Sequence, residues 1–395
     1  MTEFIYAGCA TLILFIILLV LGKKAKTESD YVFIIWQFIL LVNVITFIVI
    51  VRYNYPVSLA GRVIVEFSEA SVFLHGPIFL FYTLSLSKST FRINFKQSLH
   101  FLPFVISFCI LISGMLYNKG VSNTTREAVT VIKMISLLVY TVIVILQLKR
   151  HRTTVEKIFS NTESKYLSWL QFLAWGIVIV WILSSAGLIL YNMSVLEIPQ
   201  YGGITGNLAL CGLVFLIGYY GVRQEAIFTF VNRVEPHILP EDISLTVVQD
   251  ITENEVVSEP LQPDQEVNQA SRKYKNSGLS SQKSKALLET LAKMMKDEKP
   301  YHDSDLTLFS LAKKLSIHPN HLSQIINQYY HQNFFDYINA QRVNDVKTAM
   351  LSGNYENHSL LGIAYEFGFN SKASFNRAFK KFTNMTPSEF KKSVL

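Results

Sequence analysis

The chain has 395 residues, half of them apolar and only 16% charged, with a positive mean hydropathy. Such a composition is unusual for a water-soluble protein, and long apolar runs point to a bilayer. The net charge of +7 is uneven: residues 271–395 hold 18 Lys/Arg against 10 Asp/Glu, leaving 18 against 19 for the first 270, so the basic excess expected of a nucleic-acid binder lies at the carboxy-terminal end.

A spanning helix needs about 20 mostly apolar residues. Seven stretches qualify: 4–21, 31–51, 63–86, 99–116, 128–148, 166–191 and 203–222. Inside a bilayer the backbone must satisfy its own hydrogen bonds, so each is expected to be a helix. The first run lacks a basic flank and a small-residue cleavage site and reads as a retained span. Cys9, Cys109 and Cys211 all fall in apolar runs, far apart and without metal-ligand spacing, so they read as small packing residues.

Cationic residues in the short loops set the orientation. The first, third and fifth loops carry Lys23, Lys24, Lys26, Lys88, Arg92, Lys96, Lys149, Arg150, Arg152, Lys157 and Lys165. The alternate loops carry Arg52, Arg62, Lys119 and Arg126. Eleven against four places the odd loops in the cytoplasm, the amino terminus outside, and everything beyond Arg223 inside. The membrane expected is the bacterial inner membrane.

Ionisable residues inside spans are costly, which draws attention to Glu66 and Glu69, one turn apart in the third span, and Lys133 at similar depth in the fifth. Two readings fit: an ion cluster at an outward-facing, ligand-sensing site, or a structural bridge. His75 reads as a hydrogen-bonded polar residue. Gly202, Gly203 and Gly206 read as close-packing positions.

From Glu235 to Ala270 there are nine Asp/Glu and no Lys or Arg, the signature of a solvated acidic tether. In the stretch 279–297, Leu287, Leu288, Leu291, Met294 and Met295 form a helical stripe. It is either a packing helix of the next domain or a dimerising, signalling helix. The domains expected are therefore 1–222 (seven transmembrane helices), 223–278 (cytoplasmic acidic linker), 279–298 (packing or signalling helix) and 299–395 (DNA-binding domain).

The last segment repeats one plan. In LTLFSLAKKLSIHPNHLSQIIN, Leu308, Leu311, Ala312 and Leu315 form the inner face of a first helix. Ser316 to His318 is the turn, and Pro319 opens a second helix anchored by Leu322, Ile325 and Ile326. Its other face offers Asn320, His321, Ser323, Gln324 and Asn327, and Asn and Gln can pair with adenine edges. In SLLGIAYEFGFNSKASFNRAFKKFTNMTPSEF, Leu360, Ile363 and Ala364 face inward, Gly368 makes the turn, and Ser371 caps a helix anchored by Phe375, Phe379 and Phe382. Its outer face carries Lys372, Ala373, Asn376, Arg377 and Lys380. A helix over 334–351 links the two, which could set the recognition helices about 34 Å apart.

The run IAYEFGFNSKASFNRAFKKFTNMTPSEF, with KPYHDSDLTLFSLAKKL and NFFDYINAQRV before it, resembles the AraC/XylS family DNA-binding domain. The resemblance covers about a quarter of the chain; the membrane part is similar to membrane-bound regulators of that type only in layout. It implies an all-α protein whose two helix-turn-helix units bind promoter DNA and activate transcription. By matching positions, base reading falls on Asn320, Ser323, Gln324, Lys372, Asn376 and Arg377, and phosphate contact on Lys380 and Lys381. The family usually carries a soluble ligand-binding domain where this chain has a membrane domain. The partners expected are double-stranded DNA, the lipid bilayer, RNA polymerase, a second copy of the chain, and a ligand the sequence does not identify. No cofactor or metal site is expected.

The function expected is a one-component regulator that responds to a signal at or in the membrane. There is no receiver or kinase motif, H-E-x-x-H, P-loop or G-x-S-x-G, so an enzyme is not expected. Two alternatives stay open: a transporter-like protein with an attached DNA-binding domain, and an anchored regulator released by proteolysis.

Overall fold

The computed structural model describes residues 2–53, 58–87, 91, 94–116, 122–162, 166–192, 217–220, 281–352, 355 and 358–394. Among these, regular structure is all helical apart from one isolated antiparallel bridge, Phe159 with Thr307. The all-α fold class read from periodicity is what forms. The chain divides into two compact units, Met1–Lys149 with Leu167–Glu235, and Arg150–Tyr166 with Pro236–Leu395. Residues 150–162, expected in the loop between spans five and six, fall in the second of these units.

In the amino-terminal unit the helices are α1 (Thr2–Leu21), α2 (Glu28–Tyr53), α3 (Leu59–Ser87), the short α4 (Phe95–Ser98), α5 (Leu102–Leu116), α6 (Asn123–Ile158) and α7 (Ser168–Asn192). Among the described residues, five helical stretches are long and apolar enough to cross a membrane: Phe4–Leu21, Glu28–Ile50, Leu59–Ser87, Phe95–Leu116 and Thr124–Ile158. They coincide with the first five expected spans. Helix α7 occupies the sixth. The seventh, apart from the helical residues 217–220, and the acidic tether lie outside the described residues, as do Cys211, Gly202, Gly203 and Gly206.

Helix α3 is the most enclosed, with Ala70, Ser71, Phe73, Phe79, Phe81 and Tyr82 all buried. Gly76 lets it approach α6: a Cβ there would fall 2.6 Å from the Tyr140 ring. Around it the bundle turns large apolar side chains outward; Phe4, Leu18, Phe38 and Phe172 are each more than half exposed.

The carboxy-terminal unit contains α8 (Ser281–Asp297), a 3₁₀ turn Pro300–His302, α9 (Leu308–Lys314), α10 (Pro319–Tyr330), α11 (Phe334–Leu351), α12 (Leu360–Glu366), α13 (Lys372–Thr383) and α14 (Pro387–Val394). Two cores form. The first joins Leu291 and Met295 of α8 to Leu308, Leu311, Ala312, Leu322, Ile325 and Ile326, so α8 packs within this unit. The second joins Ile363, Ala364, Phe369, Phe375, Ala378 and Phe379. Helix α11 serves both, giving Phe334, Tyr337 and Ile338 to the first and Val343, Val346 and Ala349 to the second. One rigid helix therefore fixes the two helix pairs relative to each other.

Candidate nucleic-acid interface

Each helix pair is built by the same local devices. Thr307 caps α9 through a capping box with Ser310, each backbone N–H donating to the other's hydroxyl at 3.0 Å, which satisfies donors the helix start leaves open. The helix ends with Ser316 at φ +54°, and Ile317 N–H returns to the Ala312 carbonyl at 3.0 Å. In the second pair Ser359 caps α12 by accepting from Gly362 N–H at 3.0 Å. Gly368 takes the left-handed position at φ +89°, and Phe369 N–H returns to the Ala364 carbonyl at 3.0 Å. These six-to-one closures around a left-handed residue turn the chain sharply into the next helix. A serine can bear φ +54° in the first turn, but the second is closed to side chains: a Cβ on Gly368 would lie 2.5 Å from the Tyr301 carbonyl oxygen.

The recognition helices are equal in length, 12 residues each, and opposite in chemistry. Helix α13 is capped by Ser371, which accepts from Ser374 N–H at 3.0 Å. It buries Ser374, Phe375, Ala378 and Phe379, the last packed edge-on to Phe375 and Phe390. Lys372, Ala373, Asn376, Arg377, Lys380 and Lys381 are exposed, and the helix has no acidic residue. A cationic, solvent-facing helix of this kind is suited to phosphates and to guanine edges. Lys381 is already engaged, with Nζ 2.7 Å from both carboxylate oxygens of Asp336; Lys380 makes no such ion pair among the described residues.

Helix α10 has no Lys or Arg and offers hydrogen-bonding groups instead. Asn320, His321, Ser323 and Asn327 are half-buried, and Gln324 is buried although helical spacing sets it opposite Leu322, Ile325 and Ile326. No described residue hydrogen-bonds the Gln324 side chain, and the Asn320 amide oxygen is buried without a partner. The His321 ring is held below its ordinary pKa by burial and by neighbouring His318, so at neutral pH it brings one donor and one acceptor rather than a charge.

Behind the helices lies a polar support that sequence reading did not single out. Asp345 on α11 accepts from Lys299 Nζ at 3.0 Å, Tyr301 OH at 3.0 Å and His302 Nε2 at 2.8 Å. Burial pushes its carboxyl upward, but the bonds from His302, Lys299 and Tyr301 outweigh it and hold the pKa below the usual value. One turn away, Arg342 is 1% exposed. Burial pulls its guanidinium down to about 10, against the attraction of Asp303 and Asp305, so it stays charged at neutral pH. The signal for Arg342 was its place in the stripe Ile338, Arg342, Val346, a cation at a core position.

In the amino-terminal unit Glu66 and Glu69 face α6 as two bridges. Lys133 donates to Glu69, whereas Glu66 is paired with Arg126 at 2.7 Å, a partner sequence reading had placed in a loop. A second polar group sits between α2 and α3. Trp36 Nε1 donates to His75 Nδ1 at 3.3 Å, and the Asn43 amide lies 3.0 Å from Nε2. The Ser68 and Ser71 hydroxyls donate to the Asn43 amide oxygen at 2.9 and 2.8 Å. Among the described residues no group of three or more His, Cys, Asp or Glu side chains is arranged to hold a metal ion.

Residues 311–393 match a family model described as a helix-turn-helix domain. A 91-residue stretch is 32% identical to an HTH-type transcriptional regulator of Staphylococcus aureus strain COL, covering 23% of this chain and 12% of that one. The chain thus matches only about an eighth of the length of the curated relatives. Among solved structures, a protein from Listeria innocua is 27% identical, covers 28% of this chain and 97% of its own, and overlaps with a TM-score of 0.24. The C-terminal domain of AraT, a response regulator from Geobacillus stearothermophilus, is 26% identical over 30% of this chain and 88% of its own, also at 0.24. Scores of that size establish no common fold. The family match and the regulator relative support a DNA-binding role for the carboxy-terminal region, in the segment where the two helix pairs form.

Proposed function

We propose that the protein is a membrane-embedded, one-component transcription regulator of the AraC/XylS type. Its two helix-turn-helix pairs bind a promoter, and its amino-terminal helices hold it in a bilayer and receive the signal. The observation that carries the reading is the exposed face of α13, whose charged residues are all cationic, held beside a second helix pair by one shared helix, in a chain whose other unit is a bundle of long apolar helices. In this reading Arg377, Asn376 and Lys372 address base edges, Lys380 and Lys381 hold phosphates, and Asn320, Ser323 and Gln324 read the neighbouring groove.

Membrane insertion is supported by the outward apolar side chains of α1, α2 and α7, a far larger apolar surface than a water-soluble protein tolerates. The bias of Lys and Arg toward the odd loops places the amino terminus outside and the DNA-binding domain in the cytoplasm. The bridges Glu69–Lys133 and Glu66–Arg126 lie toward the outer end of α3 in that orientation and are the candidate sensing site. Activation is assigned to contact of the DNA-bound domain with RNA polymerase, with the chain acting as a dimer.

The test is to fractionate cells producing the full chain and to map its DNA contacts genome-wide. The reading expects an integral membrane protein cross-linked at a small set of promoters. Recovery from the soluble fraction overturns the membrane part, and an absence of discrete sites overturns the DNA-binding part.

A further inference from the structure

The carboxy-terminal unit includes a piece of chain from far upstream, the last turns of α6 and the residues after it, Arg150–Tyr166. It is held in a socket made for backbone. Ser160 N–H and Oγ–H both donate to the Leu306 carbonyl, at 3.2 and 2.7 Å, beside the Phe159–Thr307 bridge. Arg342 donates through Nη1 to the Ser160 carbonyl at 3.2 Å and through Nη2 to Ser160 Oγ at 3.0 Å. Asn339 Nδ2 lies 3.4 Å from the same carbonyl. Ser160 is 1% exposed and Phe159 is 4% exposed.

Arg342 is also tied to the Tyr301 carbonyl through Nε at 2.7 Å and to the Asp303 carbonyl through Nη2 at 2.7 Å. Those two bonds hold the guanidinium through groups other than Ser160. A buried cation held that way still directs N–H donors at the Ser160 carbonyl and hydroxyl, the geometry a docking site requires.

The other end of the segment meets the recognition helix. The Arg377 guanidinium lies 5.8 Å from the centre of the Tyr166 ring. Tyr166 OH donates to Glu156 at 2.8 Å, and the Arg152 guanidinium lies 4.8 Å from the same ring. Arg152, Glu156, Tyr166, Asp336, Arg377 and Lys381 surround one cleft of about 100 Å³. Helical spacing puts Arg377 and Lys381 one turn apart on one flank of α13. That flank is therefore faced by Tyr166 and Glu156 from the segment and ion-paired by Asp336 from α11. An arginine lying over a tyrosine ring is not extended toward a base edge, and its flank is shared with Tyr166 and with the Arg152–Glu156 ion pair at 3.4 Å.

We propose that residues 150–162 and Tyr166 form an autoinhibitory strap that seats in the Arg342 socket and holds the Arg377 flank of the second recognition helix away from DNA. Release of the strap is the step that licenses tight promoter binding. The inference rests on the reading that α13 binds DNA. The strap continues helix α6, whose earlier turns carry Lys133 and Arg126.

The test uses the full chain in lipid nanodiscs and a duplex enriched by that chain from a random-sequence pool. If the free strap is a minor population, apparent affinity is reduced by its fraction, so Tyr166→Ala with Ser160→Ala should tighten binding by about tenfold. The converse variant is Phe159→Cys with Thr307→Cys, in a background where Cys9, Cys109 and Cys211 are serine. An antiparallel bridged pair has Cα atoms about 4.5–5.5 Å apart, within the range a disulfide spans, so oxidation should weaken binding by about tenfold or more and reductant should restore it. Comparing one protein in two redox states separates the strap from any folding effect of the substitutions. Equal affinity for wild type and release variant, with no redox effect in the locked one, overturns the strap and leaves DNA binding intact. Weaker binding by the release variant also overturns it, making the segment part of the domain's scaffold. Failure of every form to bind any duplex overturns the DNA-binding reading itself.

Discussion

Replacing Gly368 by alanine strikes the turn on which the second recognition helix depends. A non-glycine residue in left-handed backbone costs about 1–2 kcal/mol. The new methyl group would also lie 2.5 Å from the Tyr301 carbonyl oxygen and 2.8 Å from that of His302, and both are backbone atoms that cannot swing aside. The Tyr301 carbonyl is pinned by Arg342 Nε at 2.7 Å, so moving it loosens a buried cation as well. Overpacking of this kind adds about 1–3 kcal/mol, for a total of roughly 3 kcal/mol, or about a hundredfold in an equilibrium constant. All four tryptophans lie before residue 182, so fluorescence is blind to this domain. Hydrogen exchange of the full chain, read by mass spectrometry over peptides from α12 to α14, is the fitting assay. Exchange there should speed up about a hundredfold in Gly368→Ala. In Ser316→Gly, which relieves φ +54° in the first turn, exchange over α9 and α10 should slow by about threefold. A change of less than about threefold in Gly368→Ala would refute the account of that turn.

Arg377→Ala should cost about 1–3 kcal/mol of binding and relax preference at one base pair, measured against a panel of single-position variants of the selected duplex; an equal loss on every duplex would make Arg377 a phosphate contact. Lys380→Ala should weaken all duplexes alike and lower the slope of log affinity against log salt by about one. In the amino-terminal unit the Lys133 side chain is 10% exposed and that of Glu69 40%, so Glu69→Gln should destabilise more than Lys133→Met, by about 2 kcal/mol, because it strands the more buried charge; thermal unfolding in detergent reads the difference. Asp345 has a folded pKa below its ordinary carboxylate value, so its stabilisation is complete above that value and is lost as pH falls through the folded pKa. Exchange over α11 should accelerate on acidification through that window, and Asp345→Asn should flatten the response.

Much of this was legible because it is local. Apolar runs gave the helices of the amino-terminal unit, and the stripes Leu308–Leu311–Ala312 and Phe375–Phe379–Phe382, with Gly368 and Ser371 as punctuation, located the helix pairs. The outer faces were less legible on α10, where Gln324 is buried at a position that spacing turns outward; spacing tells which way a side chain leaves its helix, not what covers it. The pairing of Glu66 with Arg126 was hidden because Arg126 had been assigned to a loop, whereas α6 begins at Asn123 and carries it. The Ser160–Arg342 contact joins residues 182 apart. No periodicity encodes such a contact, and Ser160 in sequence is one polar loop residue among many.

On the function proposed above, the two recognition helices fixed by α11 read DNA together. The most direct measurement is selection of duplexes from a random pool by the full chain in nanodiscs, followed by base-by-base interference mapping. The expected result is a two-part site whose halves are centred about one helical turn, roughly 10 base pairs, apart on one face of the duplex, with Arg377→Ala blurring one half only. A single contiguous motif with no second half, or no enrichment at all, would contradict it.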